Sequence, residues 1–320
     1  MLNLSLKKAT ILGSLLLATC SAVAEAQTTS AESTAELNAL SIVIRASNPT
    51  AKLAAAEDYL VRYPNSSNRI KIAEMVAAEI EKVPDGSAAL TLIDRATTVF
   101  KNEPERNVFK TVRLDALIKS GATGEAFRLA SQIVTDGPAD LVFWIKLTFA
   151  GADEAKRRNS QFTDLSLQYG TRAIRVLESD RPPAGIDETA WLKLKPHLGS
   201  LYQATAILYL EKKDEAEATL RIGKAIALNP ADPTNYALRG RLLQASDIET
   251  ASERKTERDY QRVDQIIEDY ARAAALATGR PEYQKLLQQL IPDLTNYYKT
   301  RNHDSTAGLQ QTIDKYRIKP

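Results

Sequence analysis

The fold is decided by the stretch Gly199–Pro230, which reads GSLYQATAILYLEKKDEAEATLRIGKAIALNP. Aromatic, small and branched residues stand along it in a fixed order that a proline closes: Tyr202, Ala206, Tyr209, Ala218, Ile222, Ala225 and Pro230. The first three positions recur 34 residues later as Tyr236, Gly240 and Leu243. A period of this length indicates stacked helix pairs, because a single pair cannot bury its apolar face alone and packs against the next one.

The helical spacing extends along the rest of the chain. Apolar residues step by three and four between Gly and Pro marks, and no segment alternates with a period of two. The spacing of 4, 3 and 5 residues from Ala126 to Pro138 repeats that from Ala218 to Pro230. The sequence therefore predicts an all-α chain of stacked antiparallel helix pairs whose repeats are irregular in length.

Gly199–Leu243 resembles a tetratricopeptide repeat, a helix pair of about 34 residues that stacks into a right-handed α-solenoid. The residues at the family's positions are Tyr202, Ala206, Ala218, Ile222, Ala225 and Pro230, with Ile222 in place of the usual aromatic residue. The resemblance implies that the first helix of each pair lines a concave binding groove. It favours the exposed members of one set as partner-binding residues: Gln203, Ile207, Asn235 and Arg239.

The N-terminal 26 residues have the pattern of a secretory signal peptide. Lys7 and Lys8 precede an apolar run, Ala9–Ala18, and a small-residue site ending at Ala26 follows. The run has half of the roughly 20 residues that a membrane span needs. We expect cleavage after Ala26, export to the bacterial periplasm and a polar segment at 27–33.

A lipid anchor is the alternative form of export. Leu17-Ala18-Thr19-Cys20 resembles the lipobox of bacterial lipoproteins, with Thr19 where Gly, Ala or Ser is usual. In that case Cys20, the single cysteine, carries the lipid at the mature N-terminus. Cleavage after Ala26 instead leaves a mature chain without cysteine, so neither form has a disulfide.

One stretch interrupts the helical pattern and predicts a domain boundary. Consecutive prolines at Pro182 and Pro183 forbid a continuous helix, and Gly185 loosens the chain. We expect a linker at 179–186 between an N-terminal helical-repeat lobe, 34–178, and a C-terminal lobe of tetratricopeptide type, 187–320.

Composition and motifs argue against nucleic-acid binding and metal chemistry. With 42 basic and 40 acidic residues the formal charge is +2, too small for a field that attracts nucleic acid. His197 and His303 lack metal-ligand spacing and are predicted to be surface or capping residues. No acidic residue lies within an apolar run, as a catalytic acid with a raised pKa would. We therefore expect no catalytic, metal or cofactor site.

The pattern predicts a non-enzymatic scaffold or adaptor that binds a protein or peptide of the cell envelope, without an integral membrane span. One alternative is the helical body of an envelope enzyme or glycan-binding protein, with Trp144 or Trp191 stacking on sugar. Another is a lipid-anchored subunit of an outer-membrane assembly complex, suggested by Cys20 and the corner at Tyr63–Ser66. The basic cluster Lys156-Arg157-Arg158 fits a solvated helix face, with contact to an acidic partner as the alternative.

Overall fold

The computed structural model describes residues 34–134, 141–249 and 257–317, and within these ranges every regular element is a helix. The all-α prediction is therefore confirmed, and many of the helices pack in pairs. The predicted signal peptide, the polar segment 27–33 and Cys20 lie outside the described residues. The handedness of a solenoid and the tetratricopeptide type of its repeats stay predictions.

The first compact unit ends at Ser120. Its described helices are α1 (34–45), α2 (Pro49–Arg62), α3 (Arg69–Glu81), α4 (Gly86–Val99) and α5 (Glu103–Ser120). Both α3 and α4 pack on α5, and α2 packs on α3. Their buried faces share one core, which includes Leu53, Ile72 and Ile93 and a pair of rings, Phe100 and Phe109, with centroids 5.2 Å apart.

Two junctions in this unit follow the predicted pattern. Asn48 caps α2, because its Oδ1 accepts the Ala51 N–H at 2.8 Å, and Pro49 is the first helical residue. The corner after α2 is fixed by a carboxylate of α1. Glu36 Oε1 accepts hydrogen bonds from Tyr59 Oη at 2.5 Å and from Ser66 Oγ at 2.6 Å. These bonds tie α1 to the predicted Tyr63–Ser66 corner.

The second compact unit begins at Gly121. Its described helices are α6 (Thr123–Ile133), α7 (Leu141–Lys156), α8 (Thr163–Glu178), α9 (Glu188–Leu194), α10 (Leu198–Glu211), α11 (Glu215–Leu228), α12 (Pro233–Glu249), α13 (Glu257–Ala277), α14 (Gln284–Arg301) and α15 (Leu309–Asp314). Short 3₁₀ turns, Lys195–His197 and Pro281–Tyr283, precede α10 and α14. From α10 to α14, each helix packs against the next along the chain.

The ladder that repeats every 34 residues forms the interior of this helix stack. Its buried members are Tyr202, Ala206, Ala218, Ile222, Ala225, Tyr236 and Gly240, while Tyr209 and Leu243 are half-buried. The period in the sequence thus marks packing positions between successive helices.

The compact units divide between Ser120 and Gly121, so the predicted linker at 179–186 lies inside the second unit. Its flanks are held together by hydrogen bonds to backbone carbonyls. Trp191 Nε1 donates to Val176 O at 3.2 Å, and Lys195 Nζ donates to Ser179 O at 3.3 Å. These bonds fold α9 and the following turn back onto the end of α8.

Candidate binding groove

A groove of about 830 Å³ opens in the second unit between the end of α7, α10, α12 and the start of α14. Apolar side chains and a mixed set of charged ones share its lining: Ala155, Lys156, Arg158, Gln203, Ile207, Leu210, Glu211, Lys213, Glu215, Thr234, Ala237, Leu238, Arg241 and Leu286. Its volume lies within the range of roughly 300–1,000 Å³ that is usual for binding pockets.

Most of the lining comes from α10 and α12, the first helices of the two predicted pairs. Among the four predicted partner-binding residues, Gln203 and Ile207 line the groove and are half-buried. Their places along α10 are one helical turn apart, so both side chains lie on the same face. That these two residues bind a partner stays a prediction.

Gln203 connects the two helices that form the groove. Its Nε2 donates to Thr234 Oγ1 at 2.6 Å and to Asn235 Oδ1 at 2.7 Å, across from α10 to α12. The Thr234 hydroxyl in turn donates to Asp232 Oδ1 at 2.6 Å, at the start of α12. This chain of hydrogen bonds sets the distance between the two groove walls.

Asn235 belongs to the packing of the helices and has no exposed side chain. It is 2% exposed, and its Nδ2 donates to Ala225 O at 3.3 Å and to Asn229 O at 3.2 Å. The last carbonyls of a helix have no partner within the helix, so Asn235 satisfies groups at the end of α11. Its inclusion among the candidate partner-binding residues is corrected, because that prediction required exposed side chains.

Arg239 is occupied by a buried carboxylate. Its Nε donates to Asp269 Oδ2 at 2.9 Å and one of its terminal nitrogens to Asp269 Oδ1 at 2.5 Å, and the Asp269 side chain is 0% exposed. Burial raises the pKa of Asp269, while the Arg239 guanidinium opposes that rise. Arg239 therefore joins α12 to α13, and replacing Asn235 and Arg239 together would disturb packing rather than isolate binding.

The charges at the groove are mostly basic. Four cationic side chains line it, namely Lys156, Arg158, Lys213 and Arg241, together with the two carboxylates of Glu211 and Glu215. Lys156 is paired with Asp153 at 2.8 Å, and Arg241 donates to Gln289 Oε1 at 3.3 Å.

The basic cluster found in the sequence divides between the groove and the solvent. Lys156 and Arg158 line the groove, whereas Arg157 is not part of its lining and pairs with Glu154 at 2.7 Å. Sequence reasoning missed Lys213 and Arg241 because each is an isolated cation on a different helix or loop. Only the packing of the helices brings them to one groove.

A smaller cavity, about 450 Å³, lies between α8 and α10. Its lining consists of Asp164, Leu167, Gln168, Thr171, Arg172, Arg175, Tyr209 and Lys212. Lys212 Nζ pairs with Asp164 Oδ1 at 2.5 Å, so this cation is already neutralised. The neighbouring residues Lys212 and Lys213 thus line different cavities.

The two tryptophans are buried, which contradicts their proposed role in stacking on sugar. Trp144 is 2% exposed and Trp191 is 3% exposed, so neither presents a ring face to a ligand. The indole N–H of Trp191 is used in the hydrogen bond to Val176 O. Packing, the default role of large aromatic residues, explains both.

Both histidines are exposed, as the sequence predicts for surface residues. His197 precedes α10 without a capping bond from its side chain, and His303 lies in the turn after α14. Within the part of the chain that the structure describes, no group of three or more His, Cys, Asp or Glu residues is arranged to hold a metal ion.

The chain matches no protein-family model, no curated protein sequence and no solved structure. Among the described helices, none combines the length and the apolar character that crossing a membrane requires.

Proposed function

We propose that this chain is a non-enzymatic helical-repeat scaffold whose groove between α10 and α12 binds a protein or peptide of the bacterial cell envelope. The observation that carries the proposal is the groove itself, which combines an apolar lining with charged residues and remains open to solvent. Grooves between helices are a common place for a partner's apolar side chains to dock.

The supporting argument runs from the repeat to the groove. The ladder positions are buried between successive helices, so the neighbouring half-buried positions of α10 and α12 are left to face the groove. Ile207, Leu210 and Leu238 provide apolar contact area there. Partner side chains that cover these residues would gain stability from the burial of apolar surface.

The cell-envelope location rests on the sequence. Lys7, Lys8 and the apolar run Ala9–Ala18 favour export, and cleavage after Ala26 would leave a free periplasmic scaffold. A lipoprotein anchored through Cys20 is the alternative. Membrane fractionation of the wild type and of Cys20→Ala separates the two, because only an anchored protein moves to the soluble fraction when Cys20 is lost.

Site-specific photocrosslinking in the native cells tests the proposal. A benzophenone amino acid replaces Ile207 in the groove and, as the control, Leu220 on α11, which is 52% exposed and outside the groove lining. We expect a discrete protein adduct from position 207 that position 220 does not give. The same adducts from both positions, or none from position 207, would contradict the proposal.

A further inference from the structure

Two cations at the groove adopt a backbone conformation that ordinarily belongs to glycine. Arg158 has φ of +63° and Lys213 has φ of +59°, both in the left-handed region. In the described part of the chain, positive φ outside glycine occurs at two further residues, His303 and Asp304. Arg158 and Lys213 line the same groove, and the other two lie away from it.

The two positions are structurally equivalent. After α7, the Arg158 N–H donates to Ala155 O at 2.9 Å and the Asn159 N–H to Glu154 O at 3.0 Å. After α10, the Lys213 N–H donates to Leu210 O at 2.9 Å and the Asp214 N–H to Tyr209 O at 2.9 Å. Both patterns are those of the Schellman motif, in which the left-handed residue is usually Gly because a Cβ is disfavoured there.

Helix stability alone is a weak reason for these residues. A cation near the end of a helix interacts favourably with the helix dipole, but the left-handed backbone is unfavourable for a residue with a Cβ. Both side chains are exposed, and among the described residues neither has a hydrogen bond or an ion pair from its side chain. Non-glycine residues held in this conformation are concentrated at ligand sites.

We propose that Arg158 and Lys213 form a cationic pair that recognises carboxylates on an acidic, amphipathic segment of a partner protein seated in the groove. This inference rests on the proposed function and names the chemistry of the partner. The lining supports it through charge complementarity, because four cations face two carboxylates across apolar side chains. Leucines of the segment would contact Ile207 and Leu238, and its carboxylates would reach the two free cations.

A concave groove distinguishes this partner from an acidic membrane. The groove encloses about 830 Å³ between helices, a shape that suits a segment with side chains on several faces. A flat lipid surface would contact the charged margin and leave Ile207 and Leu210 uncovered. Binding to anionic lipid is therefore the competing outcome of the test.

Binding of defined peptides to the full chain tests the inference. Three fluorescein-labelled amphipathic peptides of about 14 residues share the same leucines and differ at their polar positions, which are all Glu, all Gln or all Lys. We expect the Glu peptide to bind with a Kd below about 1 mM and at least about fivefold more tightly than the Gln peptide. The preference should decrease as salt is raised, because ions screen exposed charges.

The double variant Arg158→Gly and Lys213→Gly separates binding from folding. Glycine suits both left-handed positions, so the melting temperature should be equal to or above that of the wild type. The preference for the Glu peptide should disappear in the same variant. Lys212→Gln removes a neighbouring charge from the other cavity, and Asp304→Gly relieves left-handed backbone away from the groove, so both should keep the preference.

Each result decides the inference. Absence of binding by the Glu peptide, equal binding of the Glu and Gln peptides, or a preference that the double Gly variant retains would overturn it. Vesicles containing phosphatidylglycerol that bind the wild type and not the double variant would assign the cations to lipid and overturn it as well. None of these results removes a protein adduct at position 207, so failure of this inference remains distinct from failure of the proposed function.

Discussion

Gly240 lies directly against the ring of Tyr270. A Cβ added to Gly240 would be 2.4 Å from Cε1 and 2.6 Å from Cδ1 of that ring. Tyr270 is fully buried, and its hydroxyl donates to Gln244 Oε1 at 2.8 Å, so the ring cannot move aside without losing packing and a hydrogen bond. The small residue of the 34-residue ladder is therefore required for contact between α12 and α13.

Gly240→Ala should destabilise the protein by about 1–3 kcal/mol, because overpacking outweighs the gain in helix propensity. Gly223→Ala is the matched control, since Gly223 is also inside a helix and a Cβ there meets no atom within 4 Å. That variant should gain about 0.5–1 kcal/mol. Urea unfolding measures both values, and equal effects of the two substitutions would contradict the packing argument.

Arg239→Met should lower the free energy of unfolding by about 3 kcal/mol, because Asp269 would remain as a buried carboxylate without its partner. The double variant Arg239→Met and Asp269→Leu should recover much of this loss, since it removes both charges. A double-mutant cycle from urea denaturation gives the coupling energy. A double variant as unstable as the sum of the two single variants would show that the pair is not coupled.

Asn235→Ala should destabilise the protein by about 1–3 kcal/mol, since carbonyls at the end of α11 and the amide of Gln203 would lose their partner. Hydrogen exchange should report faster opening at the junction of α11 and α12. Thermal unfolding together with peptide binding separates stability from recognition. Unchanged stability with lost binding would restore Asn235 as a partner-binding residue.

Acid should weaken the attachment of α1. Hydrogen bonds from Ser66 and Tyr59 hold the pKa of Glu36 below its model value of 4.5. The stabilisation from a lowered pKa is present above 4.5 and is lost as the pH falls through the folded-state pKa, so stability should fall between about pH 5 and pH 3. Glu36→Gln should reduce this dependence, measured by thermal unfolding across that range.

Tyr59→Phe checks the origin of the acid effect. It removes one of the two hydroxyl donors to Glu36 and should weaken the pH dependence in the same direction as Glu36→Gln, though less. Identical pH dependence in the wild type and both variants would mean that other carboxylates control the response to acid.

The ladder could be predicted from the sequence because its period is a record of packing. Tyr202, Ala206 and Ile222 recur at intervals that only buried positions of stacked helices would share. The division of the chain was less visible, because Pro182 and Pro183 interrupt the pattern more clearly than Ser120 and Gly121 do. Hydrogen bonds from Trp191 and Lys195 keep that interruption within one unit.

The groove could be predicted only in part. Gln203 and Ile207 follow from their helical register next to the ladder, but Asn235 is polar and at a similar register, and only its contacts with Ala225 and Asn229 reveal that it is buried. Lys213 gives no local signal, because a Lys after a helix suggests further helix or solvent. Its left-handed backbone and its place at the groove arise from the tertiary structure.

The most direct test of the central claim blocks the groove after the protein has folded. With Cys20 replaced by Ser, a cysteine is placed at Ile207 or, for comparison, at Leu220, and each is labelled with a bulky maleimide. The affinity for the partner segment captured at position 207 is then measured by calorimetry. A loss of at least about tenfold for label at position 207, with none at position 220, is the predicted result. Unchanged affinity with label at position 207 would contradict binding in the groove.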